Sequence, residues 1–164
     1  GVSPEKAVVM WWRHDCKYQL VKALERGYKV IMTPRLPLYG DFVQYPMHKV
    51  GRYEQFNLLE DVYRFPEPII NLIEGYEEQM MGIQYSVWSE RIADGKRLDF
   101  MTFPRLFAVA ESAWTPKIKK NIGKFLQRLP FYFSWLDQLG VYYFNPFNPS
   151  STPEPYAPDK QDVL

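Results

Sequence analysis

The 164-residue sequence has one cysteine and two histidines, and each shortage removes a class of protein. A single thiol, Cys16, forms no internal disulfide framework and supplies no multi-cysteine zinc site. His14 and His48 alone make a poor histidine-rich metal centre, and nothing in the chain calls for a cofactor. No apolar run reaches the roughly 18 residues that suggest a membrane span. The first ten residues, "GVSPEKAVVM", lack the charged and apolar regions of a signal peptide. Twenty basic against nineteen acidic residues leave a formal charge of +1, so no basic field points to nucleic acid and no acidic tail to a charged partner. The glycine patterns of dinucleotide and phosphate-binding loops are also missing.

What the chain has in excess is aromatic surface: five Trp, twelve Tyr and eleven Phe. With 46% hydrophobic residues there is material for one real core. Large rings build cores, and they also make platforms for the apolar faces of sugars.

The apolar run "AVVMWW" (7–12) predicts a strand buried on both faces of a parallel sheet. Residues 16–26, "CKYQLVKALER", carry helical spacing, start at Cys16 and end before Gly27, where a C-cap glycine belongs. "KVIMTP" (29–34) predicts a second buried strand. The segment from 35 to 68, interrupted by prolines, reads as an elaborated loop with short helical pieces, followed by a short helix over 68–79 and a third strand over 81–88. A helix is predicted over 98–114 with Pro104 in its first turn. Another runs over 119–139, bent at Pro130 and ended by Gly140. Residues 146–164, rich in Pro and Ser, form a tail, ordered only where it docks.

Three strands, each followed by helical material, imply a parallel α/β architecture: a small open doubly wound sheet, or a piece of a (β/α)₈ barrel, which in full needs about 250 residues and eight strands. Both bind ligands at the carboxyl ends of their strands. Strand one ends in "WWRHD", strand two is followed by "LYGD", and strand three ends in "VWSE". Two of these pair an aromatic ring with a carboxylate two residues on, Tyr39 with Asp41 and Trp88 with Glu90. In extended chain such residues share a side. Rings covering sugar C–H faces and carboxylates accepting from hydroxyls make a carbohydrate pattern; the competing reading is that the rings pack loops and the acids cap helices.

The run "GIQYSVWSERI...RLDFMTFPRLFAVAESAWTP" followed by "FLQRLPFYFSWLDQLGVYY" resembles the end of the catalytic barrel of glycoside hydrolase family 20, the β-N-acetylhexosaminidases. "VVMWWRH" resembles the family's strand ending in W-R or W-K. "LPLYGDFVQ" is similar to its Y-L-D motif, with Gly40 in place of the usual bulky residue, and "VYRFPEP" to its connection before the last strand. The resemblance covers residues 7–144. It implies that 1–145 are the C-terminal part of a (β/α)₈ barrel of about three parallel strands with flanking helices, and that 146–164 are a Pro-rich tail.

The same resemblance implies roles. Trp88 stacks on the terminal N-acetylhexosamine, Glu90 accepts from its ring hydroxyls, and Asp41 binds hydroxyls near O4 and O6. Tyr39 donates to the acetamido carbonyl oxygen, and Trp12 walls the acetamido methyl group while Trp11 belongs to the core. The implied partners are glycans ending in N-acetylglucosamine or N-acetylgalactosamine, in a periplasmic, secreted or lysosomal setting. The implied reaction is substrate-assisted and retaining, an exception to the two-carboxylate scheme, with an adjacent Asp-Glu pair doing the proton work. No such dipeptide occurs in this chain, so the chain alone is expected to be inactive. A non-catalytic carbohydrate-binding or structural fragment is the alternative. Three strands without neighbours leave two open sheet edges, through which self-association is expected.

Overall fold

The computed structural model describes residues 1–52 and 55–155. Strands β1 (Val8–Trp11), β2 (Lys29–Met32) and β3 (Met80–Ile83) form one parallel sheet in that order. The helices are α1 (Lys17–Glu25), the kinked turn α2 (Arg35–Leu38), α3 (Leu59–Arg64), α4 (Ile70–Ile73), α5 (Gly95–Thr102), α6 (Arg105–Trp114) and α7 (Ile122–Leu139).

Cys16 is the N-cap residue of α1. Past its other end, Gly27 adopts φ +80°, and the N–H groups of Gly27 and Tyr28 donate to the carbonyls of Leu24 and Ala23, the paired bonds of a Schellman stop. Gly140 ends α7 in the same way, with φ +67° and bonds from Gly140 and Val141 to Asp137 and Leu136. The helix runs through Pro130 without interruption.

The sheet is covered on one face only, which corrects the expectation of strands buried on both. Trp11, Val30 and Met32 are buried in the main core with Leu20 and Leu24 of α1 and Phe125, Leu129 and Phe133 of α7. Val8, Met10 and Met81 stand on open surface, with no layer packed over them among the described residues. Between Val30 and Ile31 the β2–β3 register skips a residue of β3, a bulge that Gly82 accommodates with φ +136°.

Strand three is also shorter than predicted. Its ladder stops at Ile83, and a lone bridge, Tyr39 to Ser86, continues the contact. After Met32 the chain leaves the strand direction through Pro34 and α2, whose Leu36 and Pro37 are non-helical, so residues 84–88 have no continuous partner. The helix predicted over 98–114 is two helices, with Phe103 extended between them and Pro104 as the N-cap of α6. A proline disfavours helical backbone in the residue before it. The helix expected over 68–79 reduces to α4 and flanking 3₁₀ turns, broken at Gly75 with φ +84°.

A second, smaller core joins Phe100 and Met101 of α5 to Phe144. The tail docks at least as far as Pro155: Tyr142 donates to the carbonyl of Pro153 at 2.6 Å, and Glu154 accepts from the backbone of Lys49 and Val50. Residues 156–164 of the predicted tail lie outside the described residues. Among the described residues no helix is long and apolar enough to cross a membrane.

Candidate functional site

Beyond the carboxyl ends of the strands lies a cavity of about 520 Å³, within the range of small-molecule sites. Its walls include Met10, Trp12, Tyr39, Trp88 and Glu90, with Thr33, Arg35, Arg52, Gln84 and Ser86 between them.

Strand alternation puts Trp12 on the side of Val8 and Met10, away from the helices, and Trp11 on the side of Val30. Accordingly Trp11 is buried and its indole N–H donates to the Cys16 carbonyl at 3.3 Å, while Trp12 is half-exposed at the cavity. The guanidinium groups of Arg13 and Arg35 lie 5.9 and 5.8 Å from the Trp12 ring, where a cation is attracted to the ring face. Both pair with Asp15, at 2.7 and 3.4 Å, and the hydrogen bond from Arg13 holds the Asp15 carboxyl well below the usual carboxylate range. The polar half of "WWRHD" therefore frames an indole.

Tyr39 and Trp88 are brought together by the short pairing past the strand ends. Gly40 N–H donates to Ser86 at 2.7 Å and Ser86 N–H to Leu38 at 2.9 Å, leaving the two rings with centroids 5.6 Å apart. Burial pushes the Tyr39 phenol up, with a hydrogen bond from the Trp88 indole N–H acting against it, so the phenol keeps its proton at neutral pH. Trp88 is extended, but Ser89–Arg91 form a 3₁₀ turn. Trp88 and Glu90 thus share the cavity through that turn, and not through the extended backbone expected from their spacing.

Asp41 is placed differently. It is buried, is not among the side chains that line the cavity and pairs with the Nε of Arg52, while its Oδ1 has no hydrogen-bond partner among the described residues. Arg52 Nη2 also stands 3.8 Å from Glu90, so one guanidinium links the two carboxylates.

The loop carrying Tyr39 and Asp41 is held by polar side chains from outside it and from its far end. Arg105, fully buried at the start of α6, donates to the carbonyls of Phe42 at 2.8 Å, Asn57 at 3.2 Å, Gly40 at 2.5 Å and also Met101. The buried Asn57 donates to Pro37 at 3.0 Å and Tyr39 at 2.8 Å. Sequence reasoning missed Arg35, Arg52, Asn57 and Arg105 as site-building residues. Arg105 did leave a signal: one cation inside the apolar stretch "TFPRLFAVA" is either buried with acceptors or out of register with its helix.

Comparison with known proteins bears on what this arrangement is. The family model for the glycosyl hydrolase family 20 catalytic domain matches residues 1–117. The chain belongs to glycosyl hydrolase family 20. Among curated members, a β-hexosaminidase of Porphyromonas gingivalis is 32% identical over 152 residues, 89% of this chain and 19% of that protein. A β-N-acetylhexosaminidase of Cellulomonas fimi is 30% identical over 85% of this chain and 28% of that protein. The chain thus spans well under half the length of these family 20 relatives.

Solved family 20 structures superpose on it. An exo-β-N-acetylglucosaminidase of Vibrio harveyi, determined with N-acetylglucosamine, matches with TM-score 0.75 and 29% identity over 85% of this chain and 22% of its own. The β-N-acetylhexosaminidase of Streptomyces coelicolor A3(2) gives 0.77 and 27% over 87% and 30%. The fold is accordingly part of a (β/α)₈ barrel, with three of its parallel strands.

Proposed function

We propose that this chain is the sugar-holding part of a β-N-acetylhexosaminidase that removes terminal N-acetylglucosamine or N-acetylgalactosamine from glycans, retaining configuration. The observation that carries the reading is the convergence of Trp12, Tyr39, Trp88 and Glu90 on one cavity at the strand ends in a chain of this family.

In this reading the Trp88 face covers the C–H patch of the sugar, Glu90 and Asp41 accept from hydroxyls, and Trp12 borders the acetamido methyl group. The acetamido oxygen attacks the anomeric carbon, the bond to the leaving oxygen breaks, and that oxygen takes a proton. The resulting oxazolinium is then opened by water. The proton donor and the group steering the acetamide are an Asp-Glu pair outside these 164 residues. Tyr39, protonated because burial raises its pKa, donates to the acetamido oxygen as it is aligned for attack.

The test is hydrolysis of an N-acetylhexosaminide by the full-length enzyme and its variants. Tyr39→Phe lowers kcat by about 10- to 100-fold with KM little changed, since its bond matters most in the transition state. Glu90→Gln raises KM, because hydroxyl contacts serve ground and transition states alike. An unchanged kcat in Tyr39→Phe would falsify its role. Residues 1–164 alone give no turnover, the general acid being absent, and self-associate through the open sheet edges and the exposed face of Val8, Met10 and Met81.

A further inference from the structure

We propose that the stretch of the tail at Glu154 and Pro155 is a strap that positions Arg52, and through Arg52 the two carboxylates of the sugar pocket. The proposal rests on the reading of that cavity as a sugar site.

The strap closes on Arg97, a guanidinium with no exposed surface. Arg97 pairs with the Glu154 carboxylate at 2.7 Å and donates to the carbonyls of Pro155, at 3.1 Å, and Val50. Glu154 in turn accepts from the backbone N–H groups of Lys49, at 2.7 Å, and Val50, at 3.1 Å. One buried ion pair therefore binds three stretches of chain: α5, the tail and the loop at 49–50. A cation so buried is strongly destabilising without its partner, so the contact is strongly specified.

From that clamp the chain has one residue to cross before Arg52. Gly51 lies so tightly against the loop that a Cβ on it would stand 2.7 Å from Val43 Cγ1 and 3.0 Å from the Asp41 carbonyl, and its φ is +152°. Arg52 N–H then donates to the Asp41 carbonyl at 2.9 Å, and Val43 N–H to the Arg52 carbonyl at 3.1 Å. With its backbone fixed on both sides, the Arg52 side chain emerges at the cavity and meets Asp41 and Glu90. Glu154 is thus a positioning residue some distance from the sugar, acting through the loop on a guanidinium that lines the cavity.

The test uses the full-length enzyme carrying Glu154→Gln, Arg52→Ala, and both. Glu154→Gln raises KM for an N-acetylhexosaminide about three- to tenfold, the worth of one misplaced hydrogen bond, with kcat changed less than about twofold. Arg52→Ala raises KM at least as much, and the double variant is no worse than Arg52→Ala alone, because both changes act at one point. If Glu154→Gln does not fold, Glu154→Asp keeps the charge on Arg97 while drawing the carboxylate back from the loop. It shows a smaller rise in KM that vanishes in the Arg52→Ala background.

An unchanged KM in the folded Glu154 variant, or effects of Glu154 and Arg52 that multiply independently, overturns the strap. Failure of the underlying reading shows elsewhere: Arg52→Ala and Trp88→Ala then both leave KM untouched.

Discussion

Gly40 departs from the family's Y-L-D pattern, and the space around it supplies a physical reason. A Cβ at position 40 would lie 2.5 Å from the Tyr85 hydroxyl oxygen and 2.7 Å from its Cζ, so the phenol of Tyr85 fills the room that a side chain at position 40 would need. Gly40→Ala should destabilise the enzyme by about 1–3 kcal/mol through overpacking, read as a lowered urea midpoint. In a Tyr85→Ala background the same change should cost nothing, and equal costs in both backgrounds would refute the pairing. At this scale the meeting of Trp12, Tyr39, Trp88 and Glu90 at one cavity was legible from their places past the predicted strand ends. Arg52 was not, because it lies eleven positions past Asp41 in irregular chain, where no periodicity states which side a residue faces.

Between elements, the informative contact is where the loop at 45–48 meets α5 and the chain after α7. His48 lies among the rings of Tyr45, Phe100 and Phe144, with centroids 5.5, 4.9 and 4.8 Å away, and its Nδ1 has no hydrogen-bond partner among the described residues. Burial pushes its imidazole down to about 4, with Glu154 opposing and Arg97 and Arg105 assisting. The unfolded chain takes up a proton near pH 6.5 that the folded one refuses until about pH 4. His48 thus lowers stability as pH falls through that window, by about 2 kcal/mol at pH 5. Replacing it with Phe should flatten the difference between urea midpoints measured near pH 7.5 and near pH 5. An undiminished difference in His48→Phe would assign the acid sensitivity to other groups. Helices α1 and α7 were readable to within a residue or a few at each end because a glycine stops each of them. The break between α5 and α6 was not anticipated, although Pro104 marks it, since the apolar spacing continues across the junction.

For the molecule as a whole, the three parallel strands and the helical rhythm followed from the sequence, while the open face did not. A run such as "AVVMWW" shows that both sides of a strand are apolar, but not that the material covering one side comes from other residues. Taken alone, the chain exposes Val8, Met10 and Met81 on its sheet and Phe131, Trp135 and Leu139 on α7, and among the described residues both sheet edges lack a neighbour. Light scattering of residues 1–164 at micromolar concentration should give a mass above that of the 19.5 kDa monomer, rising with concentration. A constant monomer mass would mean that these edges are blunted by contacts within the chain.

Arg105 has a consequence for how this region can change over time. It fixes the course of the loop through the carbonyls of Gly40, Phe42 and Asn57, and a carbonyl is present whatever side chain its residue carries. Substitutions along the loop therefore leave the anchor in place. Side chains that line the cavity can thus change while the path that presents them stays constant.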